Sequence, residues 1–149
     1  MISKAIVKFT KTDENIKTPS YGSISSAGAD LSAICDQGSI TIPSHETVMI
    51  KTGISVELPE GTVGLICARS GIAKNKSLAP ANKVGVIDSD YRGELIVALH
   101  NHSNSSQTIS NGERIAQLLI VPYIKADFKE VNSLSCTDRG CNGFGSTGK

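Results

Sequence analysis

Five short stretches of this 149-residue chain concentrate the residue types that bind or cleave phosphate esters. The densest runs from Asn82 to Glu94, where an apolar run through Val86 and Ile87 ends in Asp88-Ser89-Asp90-Tyr91-Arg92-Gly93. Asp-Ser-Asp before a glycine is ordinary turn chemistry between strands. A carboxylate at a strand end, beside a tyrosine, can also hold a water and take its proton. The stretch Ala68-Arg69-Ser70-Gly71-Ile72-Ala73 follows another apolar run. Arg69 can fork two phosphate oxygens, Ser70 can donate a third bond, and main-chain N–H groups at such a corner favour anions. Capping of a short helix by Ser70 accounts for the same residues equally well.

The other three stretches are weaker when taken singly. In Ala27-Gly28-Ala29-Asp30-Leu31, Asp30 is either part of a turn entering a strand or a carboxylate near a metal-bound phosphate. Gly112 to Leu118 reads as a half-buried strand with Ile115, Ala116 and Leu118 inside; Gln117, if it also points inward, needs a partner. The glycine-rich end from Arg139 to Lys149 is either a disordered tail or an arm that wraps a nucleotide. Glycines let a backbone approach phosphates, Arg139, Ser146 and Thr147 can donate to oxygens, and Phe144 can stack on a base. Two decoys are set aside. Gly143 to Lys149 has the spacing of a phosphate-binding loop but lacks its following Ser or Thr, its strand and its helix. His100-Asn101-His102 reads as a strand running into a Ser/Asn turn, not as a metal site.

The elements that must position these residues are short β-rich runs between turn signals. They are 5–9, two runs within 47–58 interrupted by a bulge or bend near Gly53, 62–68, 83–87, 94–101 and 114–123, with one short helix over 70–76. Many strands at this spacing predict an all-β sandwich, barrel or jelly roll. Composition agrees with a single sizeable core: 39% of residues are hydrophobic, tryptophan is absent and aromatics are 4%, so Ile, Val, Leu and Ala must fill it. The formal net charge of +1 gives the whole molecule no draw towards nucleic acid or a membrane surface. The first residues hold no secretory or spanning segment, so a cytoplasmic protein is expected. The four cysteines have no zinc-like spacing and are expected as free thiols, Cys35 and Cys67 in the core. From Cys136 onward apolar content collapses, which predicts a β-rich domain over 1–135 and a flexible arm over 136–149.

In this order and over nearly the whole chain, the five stretches resemble the homotrimeric dUTPase family. The resemblance implies a jelly-roll trimer with shared active sites that uses Mg2+ to hydrolyse dUTP to dUMP and pyrophosphate. Such an activity limits uracil incorporation into DNA and supplies dUMP for thymidylate synthesis. Carried over by position, Asp88 is the carboxylate that orients and deprotonates the attacking water and bonds the 3′-hydroxyl. Tyr91 lies beneath the deoxyribose and leaves no room for a 2′-hydroxyl. Asn82, Val86 and Ile87 belong to a hairpin that reads uracil. Arg69, Ser70, Gly71 and Gln117 are phosphate positions, and Asp30 meets the metal through water. Arg139, Phe144, Gly145, Ser146 and Thr147 belong to the arm that stacks on the base and holds the γ-phosphate. Position 68 is Ala where many members have Pro. Two other readings are a dCTP deaminase of the same fold, disfavoured by the intact Asp88 stretch and tail, and a nucleotide-sensing regulator that binds a protein partner.

Overall fold

The computed structural model describes residues 4–143. They form β1 (Lys8–Lys11), β2 (Ser20–Tyr21), β3 (Ala29–Ser32), β4 (Ser39–Ile42), β5 (Thr47–Glu57) and β6 (Thr62–Cys67). A single helix, α1 (Ser70–Lys76), precedes β7 (Leu78–Pro80), β8 (Gly85–Ile87), β9 (Glu94–Asn101), β10 (Gln107–Ser110) and β11 (Arg114–Pro122). Every pairing is antiparallel. One sheet has the order β1-β5-β9-β7, a second pairs β10 with β4, and the third runs β2-β3-β11-β6-β8. This is the all-β, jelly-roll-like architecture expected, with its one short helix.

Period-2 alternation builds the core. On β9, Leu95, Val97 and Leu99 point in while Ile96 and Ala98 point out. Leu31, Ile66 and Leu118 of the third sheet meet Ile50, Ile54 and Leu78 of the first, Ile42 and Ile109 of the second, and Ile72 of the helix in one buried cluster. Burying each such aliphatic side chain contributes roughly 1.5–3 kcal/mol. Aliphatic residues therefore carry the fold, as the lack of aromatics requires.

The stretch 47–58 forms one strand rather than the two expected. The break at Gly53 survives as a register irregularity between Lys51 and Ser55. Gly53 has φ +67°, and a Cβ there would run into Ile16 and Ile34. Its N–H donates to the Glu94 carboxylate at 2.7 Å, so the interrupted ladder leaves no orphan at that point. The first strand forms at 8–11, later than the 5–9 run, and lies exposed at a sheet edge. Asn101 is fully buried, and its amide donates to Ile42, Pro43 and Ser105 carbonyls and accepts from Ser103. It is a structural tie between two loops. Cys35 is buried as expected, whereas Cys67 is only half-buried; all four cysteines are unpaired.

The chain leaves the sheets after Pro122, and residues 123–143 are exposed throughout. The compositional change at Cys136 comes thirteen residues later.

Candidate active site

β3, β6 and β11 lie side by side and bring three of the five stretches to one end of the third sheet. The register sets Gln117 opposite Asp30 on one side and opposite Cys67 on the other. Arg69 follows β6 by two residues. A cleft of about 390 Å³ opens there, lined by Asp30, Arg69, Ser70, Arg114 and Gln117, with Gly28 and Ser26 among its other walls.

Polar contacts fix the lining. Asp30 is largely buried, and its carboxylate accepts Arg69 Nε on Oδ1 at 2.7 Å and Arg114 Nη1 on Oδ2 at 3.0 Å. Arg69 Nη1 also donates to the Arg114 carbonyl at 3.3 Å. Gln117 finds the partner it needs: its Nε2 donates to the Ala68 carbonyl at 2.9 Å, which ties β11 to the corner carrying Arg69. Gly28 is required beside it, because a Cβ there would come within 3.0 Å of the Gln117 Cβ and Cδ. Ser70 is the first residue of α1 and is exposed. Arg69 occupies the cap position in extended conformation, with no side-chain cap bond. The capping reading of Ser70 is therefore not what the fold uses, and its hydroxyl is available at the cleft.

A second group gathers around β8. β8 pairs with β6 alone, so it is the edge of its sheet and offers main-chain groups outward. The expected hairpin around Asn82 is a connection between two sheets: β7 pairs with β9, β8 pairs with β6, and the loop 81–84 links them. Gly85 makes room for Asn82, whose Nδ2 would lie 3.3 Å from a Cβ there. Val86 is exposed and Ile87 half-buried. Asp88 follows with an exposed carboxylate that makes no hydrogen bond among the described residues. Its carbonyl accepts Tyr91 N–H at 3.1 Å, closing a turn. Tyr91 folds over Gly93, where any Cβ would strike its ring, and its hydroxyl donates to the Glu94 carbonyl at 3.1 Å. Arg92 Nη1 donates to the Ser89 carbonyl at 2.7 Å and stiffens the same turn.

The two groups stand apart within one chain. Ile87 pairs with Gly64, which extends to Asp88 opposite Val63, near the start of β6 and six residues before Arg69, which lies just past its end. At ~3.3 Å per residue that is roughly 20 Å. Arg139 belongs to neither group among the described residues: its Nε donates to the Asn142 carbonyl at 2.9 Å in a turn of the exposed segment. Phe144, Gly145, Ser146 and Thr147 lie outside the described residues.

Behind the cleft, Glu113 anchors the turn before β11. Its carboxylate accepts Lys76 Nζ at 2.6 Å and the Ser110 N–H at 3.0 Å. Burial pushes this carboxyl up, but the Lys76 and Ser110 hydrogen bonds outweigh it and hold the group below the usual carboxylate range. The buried Cys35 thiol is pushed up by desolvation and by Asp36 and Glu113.

No cluster of three metal-ligating side chains occurs among the described residues. Among the described residues Asp30 is the cleft's single carboxylate, and both its oxygens are already bonded to guanidinium groups. This donor set fits a cation carried by phosphates and reached through water, not a cage built by the protein. Arg114 was not singled out from the sequence, although it lies within the Gly112–Leu118 stretch and lines the cleft.

A family model described as dUTPase matches residues 14–148. The deoxyuridine 5′-triphosphate nucleotidohydrolase of Desulfitobacterium hafniense is 44% identical over 97% of this chain and 96% of its own length. The enzyme of the same name from Anaplasma marginale is 45% identical over 87% and 88%. Among solved structures, the Staphylococcus bacteriophage 80alpha dUTPase with dUPNHPP superposes with a TM-score of 0.88, at 28% identity, over 98% of this chain and all of its own.

Proposed function

This chain belongs to the dUTPase family, and we propose from that premise how its residues divide the hydrolysis of dUTP to dUMP and pyrophosphate. The observation that carries the reading is the cleft in which Arg69, Ser70 and Gln117 converge around Asp30. Its guanidinium, hydroxyl and amide donors suit the oxygens of a triphosphate. Ser70 and the Gly71 N–H add donors at the same corner. Arg139, Phe144, Gly145, Ser146 and Thr147, within the arm over 136–149, close over base and γ-phosphate.

Asp88 holds a water through its exposed carboxylate and takes a proton as the water oxygen attacks the α-phosphorus. The bond from that phosphorus to the bridging oxygen of the β-phosphate breaks, and pyrophosphate leaves. Positioning and charge stabilisation carry such a step, and no covalent intermediate is needed. The outward main-chain groups of β8, at Val86 and Ile87, and the Asn82 amide read the uracil edge. Tyr91, held by Gly93 and Glu94, fills the space that a 2′-hydroxyl would need. Mg2+, carried on the triphosphate and met by Asp30 through water, supplies charge neutralisation on the phosphate oxygens when bound.

A homotrimer with shared sites fits three observations. The roughly 20 Å of backbone between Asp88 and Arg69 is longer than one phosphate spans, which fits the two residues serving one nucleotide from different copies. The outward face of the β5–β9 pair carries Met49, Ile96 and Ala98 beside Lys51, with Met49 and Ile96 exposed on a face that a neighbouring copy could cover. Beyond β11, Ile124, Phe128 and Leu134 are almost wholly exposed, as an apolar segment that docks on another copy would be. Four free cysteines suit a reducing compartment, the cytoplasm. No helix among the described residues is long and apolar enough to cross a membrane.

Pyrophosphate release from dUTP, dTTP, dCTP and UTP, each with and without Mg2+, tests the assignment. Release from dUTP alone, dependent on the metal, is expected. Tight dUTP binding without release would transfer the reading to a nucleotide sensor, and ammonia from dCTP to a deaminase.

A further inference from the structure

We infer that Glu94 is a positioning residue for sugar discrimination: through its carboxylate on Gly53 it fixes the backbone that holds the Tyr91 ring. The inference rests on the sugar-excluding reading of Tyr91 above. The first observation is the interruption of the β5–β9 ladder. Lys51 faces Ile96 and Ser55 faces Glu94, so Thr52, Gly53 and Ile54 stand opposite Leu95 alone. Two side-chain bonds span the gap. Thr52 Oγ1 donates to the Leu95 carbonyl at 2.6 Å, and the Gly53 N–H donates to Glu94 Oε1 at 2.7 Å. Gly53 is itself held from the other side: its carbonyl accepts the Thr12 N–H at 3.0 Å, and Ile16 and Ile34 leave no room for a Cβ. The Glu94 carboxylate therefore grips a fixed point. Irregularities of this kind recur beside active sites, where they aim a side chain.

The second observation is what Glu94 carries. It is the first residue of β9, directly after the turn that holds Asp88 and Tyr91. Its carbonyl accepts the Tyr91 hydroxyl at 3.1 Å, the one hydrogen bond of that hydroxyl among the described residues. The ring lies over Gly93 and is 44% exposed, so its aim depends on that bond and on where the Glu94 backbone sits. The other bonds of the turn run from Tyr91 N–H to the Asp88 carbonyl and from Arg92 Nη1 to the Ser89 and Tyr91 carbonyls. They shape the turn internally and do not tie it to the sheets. Together with its ladder pairing to Ser55, the Glu94 carboxylate ties the end of this turn to β5. A ring displaced from its place beneath the sugar would leave room for a 2′-hydroxyl.

Pyrophosphate release from dUTP and from UTP, compared as kcat/KM, tests this. Glu94→Ala is expected to narrow the preference for dUTP by roughly tenfold, the scale of one lost hydrogen bond to a charged group. Glu94→Gln should keep the wild-type preference, because its amide oxygen can accept the same Gly53 N–H. Made in Tyr91→Phe, which lacks the hydroxyl, Glu94→Ala should have a clearly smaller effect, as coupled residues do. Should Glu94→Ala not fold, Glu94→Asp, a carboxylate one methylene shorter, should move the preference the same way by less. An unchanged preference in the Glu94 variants, with Tyr91→Ala losing it, would overturn the inference and leave the Tyr91 reading intact. So would a loss that Glu94→Gln shares, or one of full size in Tyr91→Phe. An unchanged preference in Tyr91→Ala would remove the Tyr91 reading and the inference together. A lower melting temperature with dUTP and UTP rates falling equally would make Glu94 a structural residue and also overturn the inference.

Discussion

Asp88 has the makings of a base without a built-in partner: an exposed carboxylate at the end of an edge strand, braced by the Tyr91 turn. Asp88→Asn keeps shape and hydrogen-bonding reach but cannot take a proton. Turnover should fall by roughly 10²- to 10⁴-fold while a non-hydrolysable dUTP analogue still binds. Single-turnover pyrophosphate release beside a binding isotherm checks both, and near-normal release would put the base elsewhere. At this scale the sequence was legible where chemistry and order coincide: Asp30, Arg69, Ser70 and Gln117 do converge on one cleft. Arg114 was not legible, because its outward aim depends on a one-residue slip that no alternation rule reports. Nor could the spacing show that both Asp30 oxygens are engaged by arginines drawn from two different strands' ends.

Elements translate those residues into geometry, and Glu113 shows how. It clamps the β10–β11 turn to α1 through Lys76, on the approach to Arg114. Its folded pKa lies below the unfolded value of 4.5. The linked stability is therefore fully present above that value and lost as pH falls through the lower folded one. Glu113→Gln should melt earlier than wild type at neutral pH, and the gap should narrow progressively as the pH falls below 4.5. Thermal melts of both proteins across that window check it; a gap that persists in acid would mean the carboxylate charge is not the source. Longer elements declared themselves in advance: α1 falls at 70–76 and β9 at 94–101, as their patterns predict. β2, β4, β7 and β10 did not, since two to four residues cannot display a period. The stretch 47–57 is one strand where two were expected, but the bulge or bend expected near Gly53 is present as a register irregularity inside that one ladder.

At the scale of the whole molecule, one chain displays a core, a cleft and a separate Asp88 group, and the sequence had no means of reporting how far apart the last two lie. Residues adjacent in motif order end up at opposite ends of β6, because antiparallel pairing with β8 runs the chain back along the strand. That separation has a genetic face. If each site draws its arginine from one copy and its aspartate from another, two inactive alleles can rescue each other. Mixed and reassembled, Asp88→Asn and Arg69→Gln chains would leave about a quarter of the sites with both wild-type residues, by random pairing of copies. Activity returning on mixing, from preparations that are each silent alone, would be the signature. Continued silence in confirmed mixed oligomers would mean that one chain supplies both groups. A cell carrying both lesions would then keep a working enzyme that neither gene encodes.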